Sequence, residues 1–145
     1  MKNYFVIILV LIITACKPSP KTSSIDNTAE DYVKLVLEIG QYDDAFVDAY
    51  FGPEDWRPTG TKSEILPLEN FVKRANTLIS QCDALLTSKD SNVEIARINM
   101  LKKQLIAVRT KTEMIGGKTY TFDEEAKLLY DAEPPHFSAS HFDEL

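Results

Sequence analysis

Apolar residues recur along most of this chain at three- and four-residue steps, the period of an amphipathic helix. The clearest run follows Pro67, whose fixed φ suits a first helical turn. Leu68, Phe71, Val72, Ala75, Leu78, Ile79, Cys82, Leu85 and Leu86 fall on one stripe there. A second long helix is predicted from about Ser91 to Ile115. Ile95, Ile98, Leu101, Leu105, Val108 and Ile115 mark its buried side, and Gly116-Gly117 closes it. The short connection between these two helices predicts an antiparallel pair.

Weaker signals surround the pair. A helix is expected from Thr28, capped by Asn27 or Thr28, with Glu30 and Asp31 at its positive end and Gly40 at its stop. A short helix from Asp43 to Phe51 would present Phe46, Val47 and Tyr50 before Gly52-Pro53 ends it, with a loop through Trp56 and Pro58 beyond. Thr121 and Glu124 have the spacing of a capping box. They open a helix carrying Phe122, Ala126, Leu129 and Tyr130 that Pro134-Pro135 would end. Ser138 or Ser140 can cap a last helix through His141-Phe142-Asp143-Glu144-Leu145. No segment alternates with the two-residue period of a strand, and there is no internal repeat. The fold class read from the pattern is all-α, an antiparallel bundle of about four to five helices.

The amino-terminal end has a different pattern. Lys2 precedes an apolar run from Tyr4 to Ile13, too short for the about 20 residues that a membrane-spanning helix needs. Polar residues follow at once, as after a cleaved signal. Ile13-Thr14-Ala15-Cys16 resembles the lipobox of bacterial lipoproteins. That resemblance implies a signal peptide over residues 1–15 and lipidation of Cys16, with acyl chains such as palmitate holding the protein to a membrane. By resemblance to enterobacterial sorting, Lys17 in place of an Asp after the cysteine implies the outer membrane. Residues 16–27 read as the lipidated cysteine and a Pro/Ser/Thr linker, and residues 28–145 as the helical domain.

Composition narrows the function. A chain of 145 residues has room for one domain, and a net charge of −6 without a basic stripe argues against nucleic acid as a partner. The same charge leaves membrane contact to the anchor at Cys16. With that cysteine acylated, Cys82 is alone in the mature chain and reads as a small buried hydrophobe on a helix face.

No constellation in the sequence is catalytic. Gly116-Gly117-Lys118-Thr119 looks like the tail of a phosphate-binding loop, but Thr112 stands where that pattern needs glycine, and a helix precedes it instead of a strand. His136 and His141 are five residues apart rather than the four that point two imidazoles from one helical face, so they read as surface residues. Asp43, Asp44, Asp48, Glu54 and Asp55 lack the alternation and central glycine of a calcium loop, and helix-end acids account for Asp43 and Asp44. Phe46, Tyr50, Phe51 and Trp56 read as core aromatics, with a sugar or peptide groove as the alternative. No catalytic, cofactor-binding or metal-ligating residue is assigned.

Several stretches together carry a family resemblance. They are Tyr32-Val33-Lys34-Leu35-Val36-Leu37, the run Asp44-Ala45-Phe46-Val47-Asp48-Ala49-Tyr50-Phe51-Gly52-Pro53-Glu54-Asp55-Trp56, then Phe122-Asp123-Glu124-Glu125-Ala126, Glu133-Pro134-Pro135-His136-Phe137 and His141-Phe142. They resemble the amino-terminal region of bacterial zinc-metallopeptidase-like proteins related to the domain-of-unknown-function 885 family. The resemblance implies long, mostly helical chains whose His-Glu-x-x-His zinc motif lies farther along than this region. This sequence has no His-Glu pair, so zinc is expected only in a downstream part and no ligand carries over to any residue here. The expectation is therefore an incomplete amino-terminal portion of an envelope protein, not catalytic alone, that shapes one wall of a substrate cleft. The alternative is a complete small helical lipoprotein that binds a protein or peptide in the periplasm.

Overall fold

A computed structural model describes residues 24–88 and 92–143. Among these residues the chain forms five α-helices and no strand. They are α1 (Ile25–Ile39), α2 (Leu68–Leu86), α3 (Asn92–Ile115), α4 (Phe122–Tyr130) and α5 (Ala139–Asp143), with a single 3-10 turn at Glu54–Trp56. The all-α class read from the periodicity is the class adopted.

The long stripes build the core. Phe71, Ala75, Leu78, Cys82 and Leu85 of α2 are buried against Ile98, Leu101, Leu105 and Val108 of α3, and α1 adds Leu35 and Ile39. Three contacts fix an antiparallel register for α2 and α3. Arg109 bonds Asn76, Lys102 bonds Asp83, and Gly116 at the end of α3 abuts Leu68 at the start of α2. α1 is also antiparallel to α2, because Glu38 near its end meets Arg74 while Thr28 near its start meets Gln81. Such interdigitated apolar surface contributes about 25 cal/mol for each Å² removed from water, and it dominates the stability of the bundle.

α3 packs against α1, α2 and α4, so burial extends round more of its circumference than one stripe. Thr110 and Thr112 are buried there, and their hydroxyls donate back to the carbonyls of Ile106 (2.9 Å) and Val108 (2.7 Å). Those bonds remove the cost of burying an unpaired hydroxyl. Among the described residues no buried side-chain nitrogen or oxygen lacks a partner.

Two helix ends follow the sequence signals closely. At the end of α3, Gly117 has φ 96°, its N–H bonds the Met114 carbonyl, and the N–H of Lys118 bonds that of Glu113, a Schellman motif. At the start of α4, the Thr121 hydroxyl accepts from the Glu124 N–H while the Glu124 carboxylate accepts from the Thr121 N–H.

Three expectations are corrected. α1 begins at Ile25 rather than Thr28: the Ser24 hydroxyl caps it by accepting from the Asn27 N–H at 3.2 Å, and Thr28 is wholly buried within the helix. No helix forms between Asp43 and Phe51. There the Asp43 carboxylate takes the Ala45 N–H at 3.0 Å, offering the backbone a turn in place of a helical bond. α4 ends at Tyr130, before Pro134-Pro135, because Asp131 takes a left-handed conformation with φ 53°.

Candidate functional site

The connection from Gly40 to Pro67 far exceeds the about 2–8 residues usual between bundle helices. It folds over the carboxyl-terminal end of α1 and the amino-terminal end of α2, leaving an open groove of about 650 Å³. Lys34, Glu38, Gln41 and Tyr42 line one side, Asp55 to Ser63 the other, and Asn70 and Phe71 come from α2. Phe71 is buried, and Tyr42 meets it edge-on with ring centroids 5.9 Å apart.

Most charges in the groove are paired within the protein. Lys34 bonds Glu30 at 2.5 Å and lies 6.0 Å from the centre of the Trp56 ring, and the Glu30 bond holds its ammonium above the usual lysine range. Arg74 grips Glu38 with two bonds of 2.5 and 2.8 Å, which likewise raises its pKa. Arg57 bonds Glu54 at 2.8 Å and the Tyr50 carbonyl at 3.1 Å, and its guanidinium lies 4.9 Å from the Tyr50 ring centre. Lys62 donates to the Gln41 carbonyl at 2.7 Å. Solvent screening keeps each of these partly exposed pairs weak, and of the four basic residues Arg57 and Lys62 are the ones that hold the path of the loop.

The acidic residues singled out in the sequence do not converge. Asp43 closes a turn, Glu54 pairs with Arg57, Asp44 and Asp48 are solvated, and Asp55 reaches the groove. The aromatic group also divides, which corrects its reading as core. Phe46 packs against the core, the Tyr50 hydroxyl donates to the Pro53 carbonyl at 3.0 Å, and Phe51 is 96% exposed. Trp56 is half-buried at the groove.

The two histidines lie beyond α4. His136 Nε2 is 3.1 Å from an Asp123 carboxylate oxygen, and His141 stacks on Phe137 at 4.3 Å. Among the described residues no three His, Cys, Asp or Glu side chains are grouped as a metal would require. Phe122, Phe137 and Phe142 are largely exposed in the same region. Lys118 does not sit in a phosphate cradle: it bonds Glu113 at 2.9 Å, and Tyr120 donates to the same carboxylate. Burial raises the Glu113 pKa, but those two bonds outweigh it and hold the carboxyl below its ordinary range. Cys82 is fully buried, and burial, then the nearby Asp83, push its thiol pKa up, away from the reactive thiolate.

Cys16, the expected lipidation site, and the signal and linker before Ser24 lie outside the described residues. No described helix is long and apolar enough to cross a membrane. Sequence reasoning missed Gln41, Tyr42 and Asn70 as groove residues; the unusual length of the Gly40–Pro67 connection was the signal that could have found them. Compared with protein-family models, curated proteins and solved structures, the chain finds no match.

Proposed function

We propose that this chain is a lipid-anchored protein of the bacterial cell envelope, held at Cys16, whose helical domain is a non-catalytic recognition module. The supporting observation is the polarity of the bundle. Cys16 precedes α1 in the sequence, and the groove lies at the far end of α1 from Ile25, about 22 Å away by the rise of a 15-residue helix. In this reading a tether joined ahead of α1 leaves the groove at the far end of that helix, where it is free to meet a partner. Outer-membrane placement rests on Lys17 beside Cys16.

A second reading, the amino-terminal portion of a longer zinc-peptidase-like chain, is favoured by a different observation. Phe122, Phe137 and Phe142 expose 74%, 54% and 60% of their surfaces around α4 and α5, where a further domain would cover them. In that reading the groove helps to wall a substrate cleft and zinc belongs to the downstream part.

The test is to express the full chain in a bacterial host with labelled palmitate and fractionate the envelope. Label on the protein and retention in membranes, both lost in Cys16→Ser, are expected, with no zinc-dependent peptide cleavage by the purified protein. Unchanged retention of Cys16→Ser would sink the tether, and cleavage would sink the non-catalytic role. An in-frame His-Glu-x-x-His segment beyond the Leu145 codon would favour the second reading over the first.

A further inference from the structure

We infer that the groove at the α1–α2 end is a binding site for a neutral oligosaccharide, an inference that rests on the reading of this end as a recognition surface. Its lining joins aromatic rings to uncharged amides. Trp56 and Tyr42 line it, and buried Phe71 supports Tyr42. Among the described residues, the carboxamides of Gln41 and Asn70 have no hydrogen-bond partner and the Asp55 carboxylate is in no ion pair. A carboxamide both donates and accepts, matching the two-way hydrogen bonding of sugar hydroxyls, and ring faces match the C–H faces of a pyranose.

The alternatives fit less well. The groove's Lys34, Glu38 and Arg57 are already paired internally, so a charged ligand would have to compete with those partners. The net charge of −6 also repels polyanions. A peptide that adds as a strand would need a sheet edge to pair with, and the described residues contain no strand. A helical peptide would need a mainly apolar groove, whereas this one mixes polar and apolar surface in near-equal shares and carries charged side chains.

Trp56 is the sole tryptophan of the sequence, so its emission reports on this groove alone. The experiment titrates the full chain, purified from bacterial membranes in a sugar-free detergent, with the tetrasaccharide of N-acetylglucosamine. A capped neutral tetrapeptide is titrated in parallel. A saturable emission change with sugar but not peptide is expected, half-complete below about 1 mM. Gln41→Ala and Asn70→Ala should each raise the half-saturation point about five-fold, the effect of one lost hydrogen bond, with unchanged circular dichroism. Saturable peptide binding without sugar binding overturns the oligosaccharide inference and leaves the recognition reading standing. No response to either ligand, or equal sugar binding in both variants, removes this groove as the recognition site; the lipid tether is tested separately by Cys16→Ser.

Discussion

The three-helix core and the Gly40–Pro67 connection are held by different physics. In the core, Leu35, Ile39, Ile98 and Leu105 have no exposed surface, and cohesion comes from non-directional burial spread over many side chains. In the connection only Tyr42, Phe46 and Leu66 lean on the core, and the path is set by turns, ion pairs and single hydrogen bonds such as Lys62 to the Gln41 carbonyl. Deleting a core side chain therefore lowers global stability, whereas deleting a partner in a loop of this kind alters its local path. The groove lies along the seam between the two, with one wall rigid and the other assembled from polar contacts.

The largest effect that separates them is a cavity. Leu105→Ala removes a wholly buried side chain from the α2–α3 interface and should cost about 2–5 kcal/mol in denaturant unfolding. Phe51→Ser, although it deletes a larger side chain, should fall within about 0.5 kcal/mol of the parent because Phe51 is almost fully solvated. Equal losses for the two variants would erase the distinction between core and connection.

A polar feature of the bundle gives the next test. Glu113→Gln takes the charge from the acceptor of Lys118 and Tyr120 beside the Schellman turn, and should cost about 1.5 kcal/mol at neutral pH. The folded state holds this carboxyl below its ordinary pKa, so the unfolded chain binds a proton first as pH falls. Its stabilisation is therefore full above the unfolded pKa and is lost as pH drops through the folded one. Unfolding midpoints measured from neutral to acid pH should fall less steeply in Glu113→Gln than in the parent. Some slope will remain, since hydrogen bonds from Thr121 and from Lys103 hold Glu124 and Asp131 low as well. An identical slope in both proteins would show that Glu113 is not depressed.

The capping box stands at a similar scale. Thr121→Ala removes an acceptor for the Glu124 N–H and should cost about 1 kcal/mol, read as a lower unfolding midpoint. Thr121→Ser should restore most of it, whereas a loss shared by both variants would assign the effect to packing instead of capping.

These contrasts also explain what the sequence disclosed. The stripes on α2 and α3 were legible because many residues repeat one period, so no single misreading alters the face. The Schellman glycine and the capping box were legible because each is a local motif with fixed spacing. The start of α1 was hidden because Ser24 to Thr28 is mostly polar in composition, and burial of Thr28, which also bonds Gln81, is a tertiary effect. The segment after Asp43 was misread for the converse reason: Phe46, Val47 and Tyr50 mimic helical spacing, while the Asp43 side chain diverts the backbone. The groove was least legible, since Tyr42, Trp56 and Asn70 are far apart in sequence and meet only through the path of the loop.

That path supplies the smallest and most discriminating prediction. Glu54→Gln breaks the ion pair with Arg57, but Glu54 is 84% exposed and Arg57 44%, so global stability should change by less than about 0.5 kcal/mol. Arg57 would still hold the Tyr50 carbonyl, and the 3-10 turn that carries Trp56 would lose only its charged clamp. The consequence expected is local. Trp56 emission should shift towards that of a solvated indole, and its quenching by acrylamide should rise, while the unfolding midpoint stays in place. A variant that unfolded earlier without a change in Trp56 quenching would reverse the picture, making the connection a contributor to the core and the groove wall rigid without its ion pair.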